Sequence, residues 1–216
     1  MPKWVKFIAA WLLLPFCLGA ASALWRVARA AGGADTVWVP MLAGAACWVV
    51  IYLLLPRPMW LYVFGHELTH ALWTWLFGGR VKRFKASAHG GHVLVTKHNF
   101  LIILAPYFFP LYAVLVALVY AAGHAVWDWS GGRPWFHLLL GAAYAFHVTL
   151  TGHVLHTRQT DITSQGYFFS AVIIFLGNAL VLLVALPLLS GQSVMRALGA
   201  WLRLTGDMWI RSSQWF

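Results

Sequence analysis

The chain has 216 residues, of which 62% are hydrophobic and only 9% charged, with a mean hydropathy of +0.75. Those values exclude an ordinary soluble globular domain, in which about 25% of residues are charged. The formal charge of +10 comes from cations scattered over short loops between apolar runs, a pattern that excludes a nucleic-acid groove and points to anionic lipid headgroups.

Apolar runs long enough to cross about 30 Å of hydrocarbon are read at 7–25, 37–55, 59–78, 101–122, 135–157 and 167–190. The expected fold class is an all-α polytopic membrane protein of about six transmembrane helices, with 1–216 as a single integral membrane domain. Trp4, Trp25, Trp38, Trp60, Trp127, Trp129 and Trp135 gather near the ends of these runs, as interfacial aromatic belts do. The first run follows Lys3 and Lys6 and ends in Ala21-Ser22-Ala23, a small-x-small step of the kind signal peptidase cuts. Its length, with Arg26 and Arg29 as an interfacial stop, favours a retained span. Cys17 and Cys47 both fall inside predicted spans, where a thiol behaves as a small apolar residue and no disulfide framework is expected.

The third run holds the chain's only glutamate, in Val63-Phe64-Gly65-His66-Glu67-Leu68-Thr69-His70-Ala71-Leu72-Trp73. On a helix His66 and His70 stand one turn apart on one face, so both imidazoles can reach one Zn²⁺. Glu67 beside them can accept a proton from a zinc-bound water as general base. An ionisable triplet at bilayer depth is costly unless partnered, which makes it a functional-site hypothesis by default.

The segment after this run, Gly78 to Lys97, does not read as helical. Gly90-Gly91 separates two short runs with β-branched residues and predicts a β-hairpin-like insertion, the alternative being a basic loop. A hairpin here would offer an open edge to an extended substrate. The cluster Arg80 to Lys85 with Lys97 favours a cytoplasmic loop and an external N-terminus. The next span begins with Ala105-Pro106-Tyr107-Phe108-Phe109-Pro110, whose prolines are expected to loosen it.

Histidines 137, 147, 153 and 156 lie on or near one later helix, where interhelical hydrogen bonds are the ordinary role. Asn178 in the last span is a candidate oxyanion or substrate contact, or packing glue. At the C-terminus, residues 192–216 are read as an interfacial amphipathic helix, with Val194, Leu198, Trp201, Leu202, Thr205 and Met208 on one face.

The His-Glu-Leu-Thr-His run in an apolar helix, the glycine-containing hairpin candidate and the proline-bounded start of the next span together resemble the site-2 protease family of intramembrane zinc metallopeptidases, over roughly residues 58–180. The resemblance implies zinc as cofactor, a membrane-embedded Asp on a later span as a further ligand, and transmembrane segments or their juxtamembrane ends as substrates. The family often carries that Asp in an Asn-x-x-Pro-x-Pro-x-Leu-Asp-Gly pattern, which this chain does not contain.

A catalytic zinc usually takes three protein ligands and leaves one position for water. Asp35 and Asp128 are read as loop residues and Asp207 as part of the surface helix, so Asp161, between two late spans, is the expected third ligand. His153 and His156 are the alternatives. The expected function is a zinc metalloprotease that hydrolyses peptide bonds in or near transmembrane segments, embedded as a multi-pass protein in a plasma or bacterial-type inner membrane. Its partners would be lipids and a transmembrane protein substrate, with no nucleic acid. Two other readings stay open. One is a membrane haem protein using His66 or His70 with His147 or His153 as axial ligands. The other is a non-catalytic relative that binds a metal or a client helix.

Overall fold

A computed structural model describes residues 2–87 and 90–213. In chain order it contains α1 (Lys3–Ala30), α2 (Asp35–Leu54), α3 (Met59–Leu76), β1 (Val81–Ser87), β2 (Gly90–Val95), α4 (Phe100–Leu104), α5 (Leu111–Trp127), α6 (Arg133–Leu155), α7 (Thr160–Gln165), α8 (Tyr167–Leu189) and α9 (Val194–Ser213). Single 3₁₀ turns occupy Ala105–Tyr107 and Trp129–Gly132. Contacts gather in two compact units: Asp35–Gln159 forms one, and α1 with the chain from Thr160 onward forms the other.

Among the described residues four helical segments are long and apolar enough to cross a membrane: Lys3–Ala30, Asp35–Leu54, Trp129–Leu155 and Tyr167–Leu189. A fifth is counted if the bent pair Phe100–Tyr107 and Leu111–Trp127 is one span. These helices are compatible with a multi-pass membrane protein, but the six expected spans are not reproduced. Two corrections account for the difference. The run 59–78 forms α3, which has spanning length but is not among the sufficiently apolar helices. His66, Glu67, His70 and the polar edges of Tyr62, Trp60, Trp73 and Trp75 dilute its aliphatic content. The run 101–122 is not one helix, because its two halves meet at 80°. Pro110 has a non-helical backbone at the N-cap of α5 and no N–H to donate backwards, so the ladder cannot run through it.

In the Asp35–Gln159 unit, α2 and α6 pack at backbone distance. A Cβ added to Gly44 would meet the Leu138 carbonyl, and one added to Gly141 would meet the Met41 carbonyl. Small residues at such positions let helix backbones approach where no hydrophobic effect drives them together. Trp48 Nε1 donates to Thr149 Oγ1 at 2.8 Å, and His137 Nδ1 lies 3.1 Å from the Thr36 carbonyl, so this histidine does bridge helices as expected. Tyr62, Phe146 and Leu150 form the buried cluster that joins α3 to α6.

The insertion after α3 is a two-stranded antiparallel hairpin. Its register pairs Val81 with Val95, Arg83 with Leu94, Phe84 with Val93, Lys85 with His92, Ala86 with Gly91 and Ser87 with Gly90, with a shift between Val81 and Arg83. Gly90 and Gly91 were expected to separate the strands; instead they open β2, and residues 88–89 lie outside the described part. Period-two alternation gives Phe84, Ala86, Gly91 and Val93 one face and Arg83, Lys85, His92 and Leu94 the other. The first face is turned to α3, since Phe84 meets Phe64 edge-on at 5.7 Å.

In the other unit α1 packs along α8 and α9 through Ala20, Ala23, Val27, Ala179, Leu183 and Ala197. Trp201 Nε1 donates to the Phe16 carbonyl at 3.0 Å, and Thr205 fills the space over Gly19. Part of the apolar face of α9 read for the membrane surface is thus taken up by α1. Near the start of α1, buried Lys6 donates to Gln165 Oε1 at 2.7 Å, which compensates an ammonium withdrawn from water.

Candidate metal centre

Helix α3 brings the motif together by its own geometry. Glu67 and His70 are buried, at 7% and 8% exposure, and His66 is partly buried. The rings of His66 and His70 lie 4.9 Å apart at 78°, with ligand nitrogens within 4.8 Å of each other. Two imidazoles so disposed can hold a metal ion between them.

Neighbouring residues fix this arrangement. His70 Nδ1 lies 2.8 Å from the Ile102 carbonyl. A carbonyl accepts only from a protonated nitrogen, so Nδ1 carries the hydrogen and Nε2 is the lone-pair donor, as in a metal-binding histidine held from behind. His66 packs edge-on against Tyr107 at 5.3 Å. Thr69 and Thr74 turn their hydroxyls back to the Gly65 and His70 carbonyls, at 2.7 and 2.8 Å, which satisfies both within a buried helix. Gly65 allows Tyr112 to approach: an added Cβ would lie 2.7 Å from Tyr112 Cε2. The Tyr112 hydroxyl donates to the Leu61 carbonyl at 2.6 Å.

Helix α3 ends in a way that turns the chain back over the motif. Gly78 takes φ 70°, a left-handed conformation suited to glycine, and Gly79 N–H closes onto the Thr74 carbonyl at 2.8 Å. Lys97 Nζ donates to the Phe77 carbonyl at 2.9 Å and so tethers the base of the hairpin, where the chain leaves β2, to the helix C-terminus. The result places Gly91 against Glu67: an added Cβ would lie 2.7 Å from Glu67 Cγ and 3.0 Å from Oε1.

A pocket of about 20 Å³ is lined by Tyr62, Gly65, His66, Thr69, Tyr112 and His147, among others. That volume suits about one water. His147, buried on α6, is therefore the histidine of that helix that shares a pocket with the motif. His153 and His156, the alternative ligands, do not join His66 and His70 in any group of metal-ligating atoms within 4.8 Å among the described residues. They sit in the last turn and C-cap of α6, where His156 Nδ1 turns back to the Gly152 carbonyl at 2.8 Å. Asp161 and Asn178 belong to the other unit. Asp161 is half-buried in the first turn of α7, and Asn178 Nδ2 donates to the Ile174 carbonyl at 2.9 Å within α8.

The Ile102 carbonyl is a backbone acceptor and leaves no residue signature in the sequence. His147 is expected from the sequence to make an interhelical hydrogen bond or to serve as an axial haem ligand, and its place beside the motif comes from the packing of α6, which spacing along the chain does not reveal. No protein-family model, curated protein or solved structure matches the chain.

Proposed function

We propose that this chain is an intramembrane zinc metallopeptidase of the site-2 protease type, acting on peptide bonds in or near transmembrane segments. The observation that carries the reading is His70: buried on a mainly apolar helix, one turn from His66, with its Nδ1 hydrogen committed to a backbone carbonyl, the tautomer in which Nε2 carries the lone pair that a metal takes. The donor chemistry fits zinc, which takes neutral imidazoles and a carboxylate and keeps an open position. His66 and His70 would hold the ion, and Asp161 is the proposed third ligand. Zinc bound there supplies a Lewis acid that polarises the scissile carbonyl and acidifies water.

The protein's own groups then divide the work. Glu67 takes the proton of the attacking water and delivers it to the leaving amine, a transfer favoured by its burial beside the histidines. Ile102 keeps His70 in one tautomer. The pocket beside His66 has room for about one water, which suits hydrolysis. The exposed edge of the hairpin is the proposed seat for an extended substrate backbone.

The test begins with metal content of detergent-purified protein for wild type, His66→Ala, Asp161→Ala and Glu67→Gln. Near-stoichiometric zinc in wild type and Glu67→Gln, lost in the other two, is expected. Cleavage of a transmembrane reporter peptide should fall by about 10²–10⁴-fold in Glu67→Gln, the contribution of a general base. Hydrolysis that survives this substitution would overturn the reading, and zinc retained in Asp161→Ala would remove Asp161 from the ligand set.

A further inference from the structure

The hairpin is more than a seat beside the motif helix, because one of its residues has no room for a side chain. Gly91 pairs with Ala86 on the face turned to α3. A Cβ there would come within 2.7 Å of the Lys85 carbonyl on the partner strand and within 2.7 Å of Glu67 Cγ. Both are distances that real Cβ atoms essentially never show, and neither neighbour is the free end of a flexible chain. The Lys85 carbonyl belongs to the ladder, and Glu67 Cγ is held close to the α3 backbone. Glycine at this site lets the two strands close directly over the carboxylate-bearing side chain.

From this packing we propose that Gly91 is a positioning residue for Glu67: the inner face of the hairpin, narrow at Gly91 and anchored by Phe84 on Phe64, sets the place of the Glu67 carboxyl and covers it. Other features of the strand pair fit a cover hinged at its base. Its base is fastened to α3 through Lys97 and the Phe77 carbonyl, and its outer face carries Arg83, Lys85 and His92, all exposed. The apolar residues on the face turned to α3 are Phe84, Val93 and, at the base of the hairpin, buried Val95. A side chain at position 91 lifts the two-stranded hairpin before it displaces α3, since α3 is held on its other faces by Tyr112, Phe146 and the 105–109 segment. The inference rests on Glu67 being the general base proposed above.

The experiment is carbodiimide labelling of the carboxyl, which needs neither substrate nor metal. Metal-free protein in detergent is treated with dicyclohexylcarbodiimide, and modification of the Glu67 peptide is followed by mass spectrometry. Gly91→Ala should label several-fold faster than wild type. Phe84→Ala, which loosens the same face without intruding on Glu67, should do likewise and decides the matter if Gly91→Ala fails to fold. Gly152→Ala on α6, where an added Cβ meets nothing within 4 Å, should label as wild type. Reloaded with zinc, Gly91→Ala should keep its metal and its KM while kcat for the reporter peptide falls by about 10²-fold, the loss expected of a catalytic group misplaced by about 1 Å. Wild-type labelling in both hairpin variants would overturn the proposal. Failure of the protease reading shows separately, as hydrolysis that survives Glu67→Gln, and leaves the labelling comparison valid.

Discussion

The carbonyl that faces His70 Nδ1 is itself placed by a side chain. Asn99 is the N-cap of α4, and its Oδ1 accepts from Ile102 N–H at 2.8 Å. The peptide units on either side of Ile102 are thus fixed, one by the cap and one by the imidazole. Replacing Asn99 with Ala removes a cap worth about 1 kcal/mol and lets the first turn of a five-residue helix fray. Loss of a group that orients a ligand lowers metal affinity by about 10–100-fold, and Asn99→Ala should fall at the lower end because the carbonyl stays in the chain. A competitive chelator titration measures it, and unchanged affinity would show that His70 is oriented without Ile102. At this scale the sequence is legible where chemistry is local. His66, Glu67 and His70 are neighbours on one helix, so spacing alone brings them together. Ile102 and Gly91 reach the motif through the fold, the first as a backbone atom and the second as an absent side chain, and neither leaves a pattern to find.

Among the elements, the closest contact is that of α2 with α6, where Gly44 and Gly141 admit the opposing backbone. Gly141→Val would force a branched side chain into the Met41 carbonyl, and no rotamer change relieves a clash at Cβ. The helices must separate, with loss of the Trp48–Thr149 bond and the Trp48–Phe146 contact at 4.9 Å. Overpacking in a core usually costs about 1–3 kcal/mol, and the upper end is expected here because the obstacle is backbone. Unfolding of detergent-solubilised protein, followed by tryptophan fluorescence, should show the loss, while Gly152→Ala should not. A midpoint unchanged in Gly141→Val would mean that α2 and α6 do not meet at these glycines. Both glycines were visible in the sequence as small residues in apolar runs, but their partners, far away in the chain, were not. The hairpin was legible from β-branched runs after a helix stop. The 80° break at residues 105–110 was read only as a loosened span, because composition sees an unbroken apolar run where Pro110 ends the ladder.

For the molecule as a whole, the decisive property is the uneven apolarity of its helices. Composition announces a chain rich in membrane-compatible segments, and α3 has the length of a span without the apolarity of the others. Helix α3 has 18 residues and carries the polar triplet at its centre. A charged residue at the middle of an isolated inserted helix costs roughly 2.5–3.5 kcal/mol, and the two histidines add to it. What offsets that cost is tertiary: the Ile102 carbonyl, the hairpin face over Glu67, and the aromatic packing of Tyr107, Tyr112 and Phe146. A consequence follows for biogenesis. Tested singly as a candidate segment in a membrane-insertion assay with glycosylation reporters, α3 should insert in a minority of chains, whereas α8, strongly apolar over its 23 residues apart from Ser170 and Asn178, should insert nearly completely. Changing His66, Glu67 and His70 together to Leu should move α3 to majority insertion, which shows that the metal-site residues, and not the helix length, set the barrier. If wild-type α3 inserts as well as α8 on its own, the polar triplet imposes no cost at bilayer depth, and the reason for reading it as a functional site from its expense alone is lost.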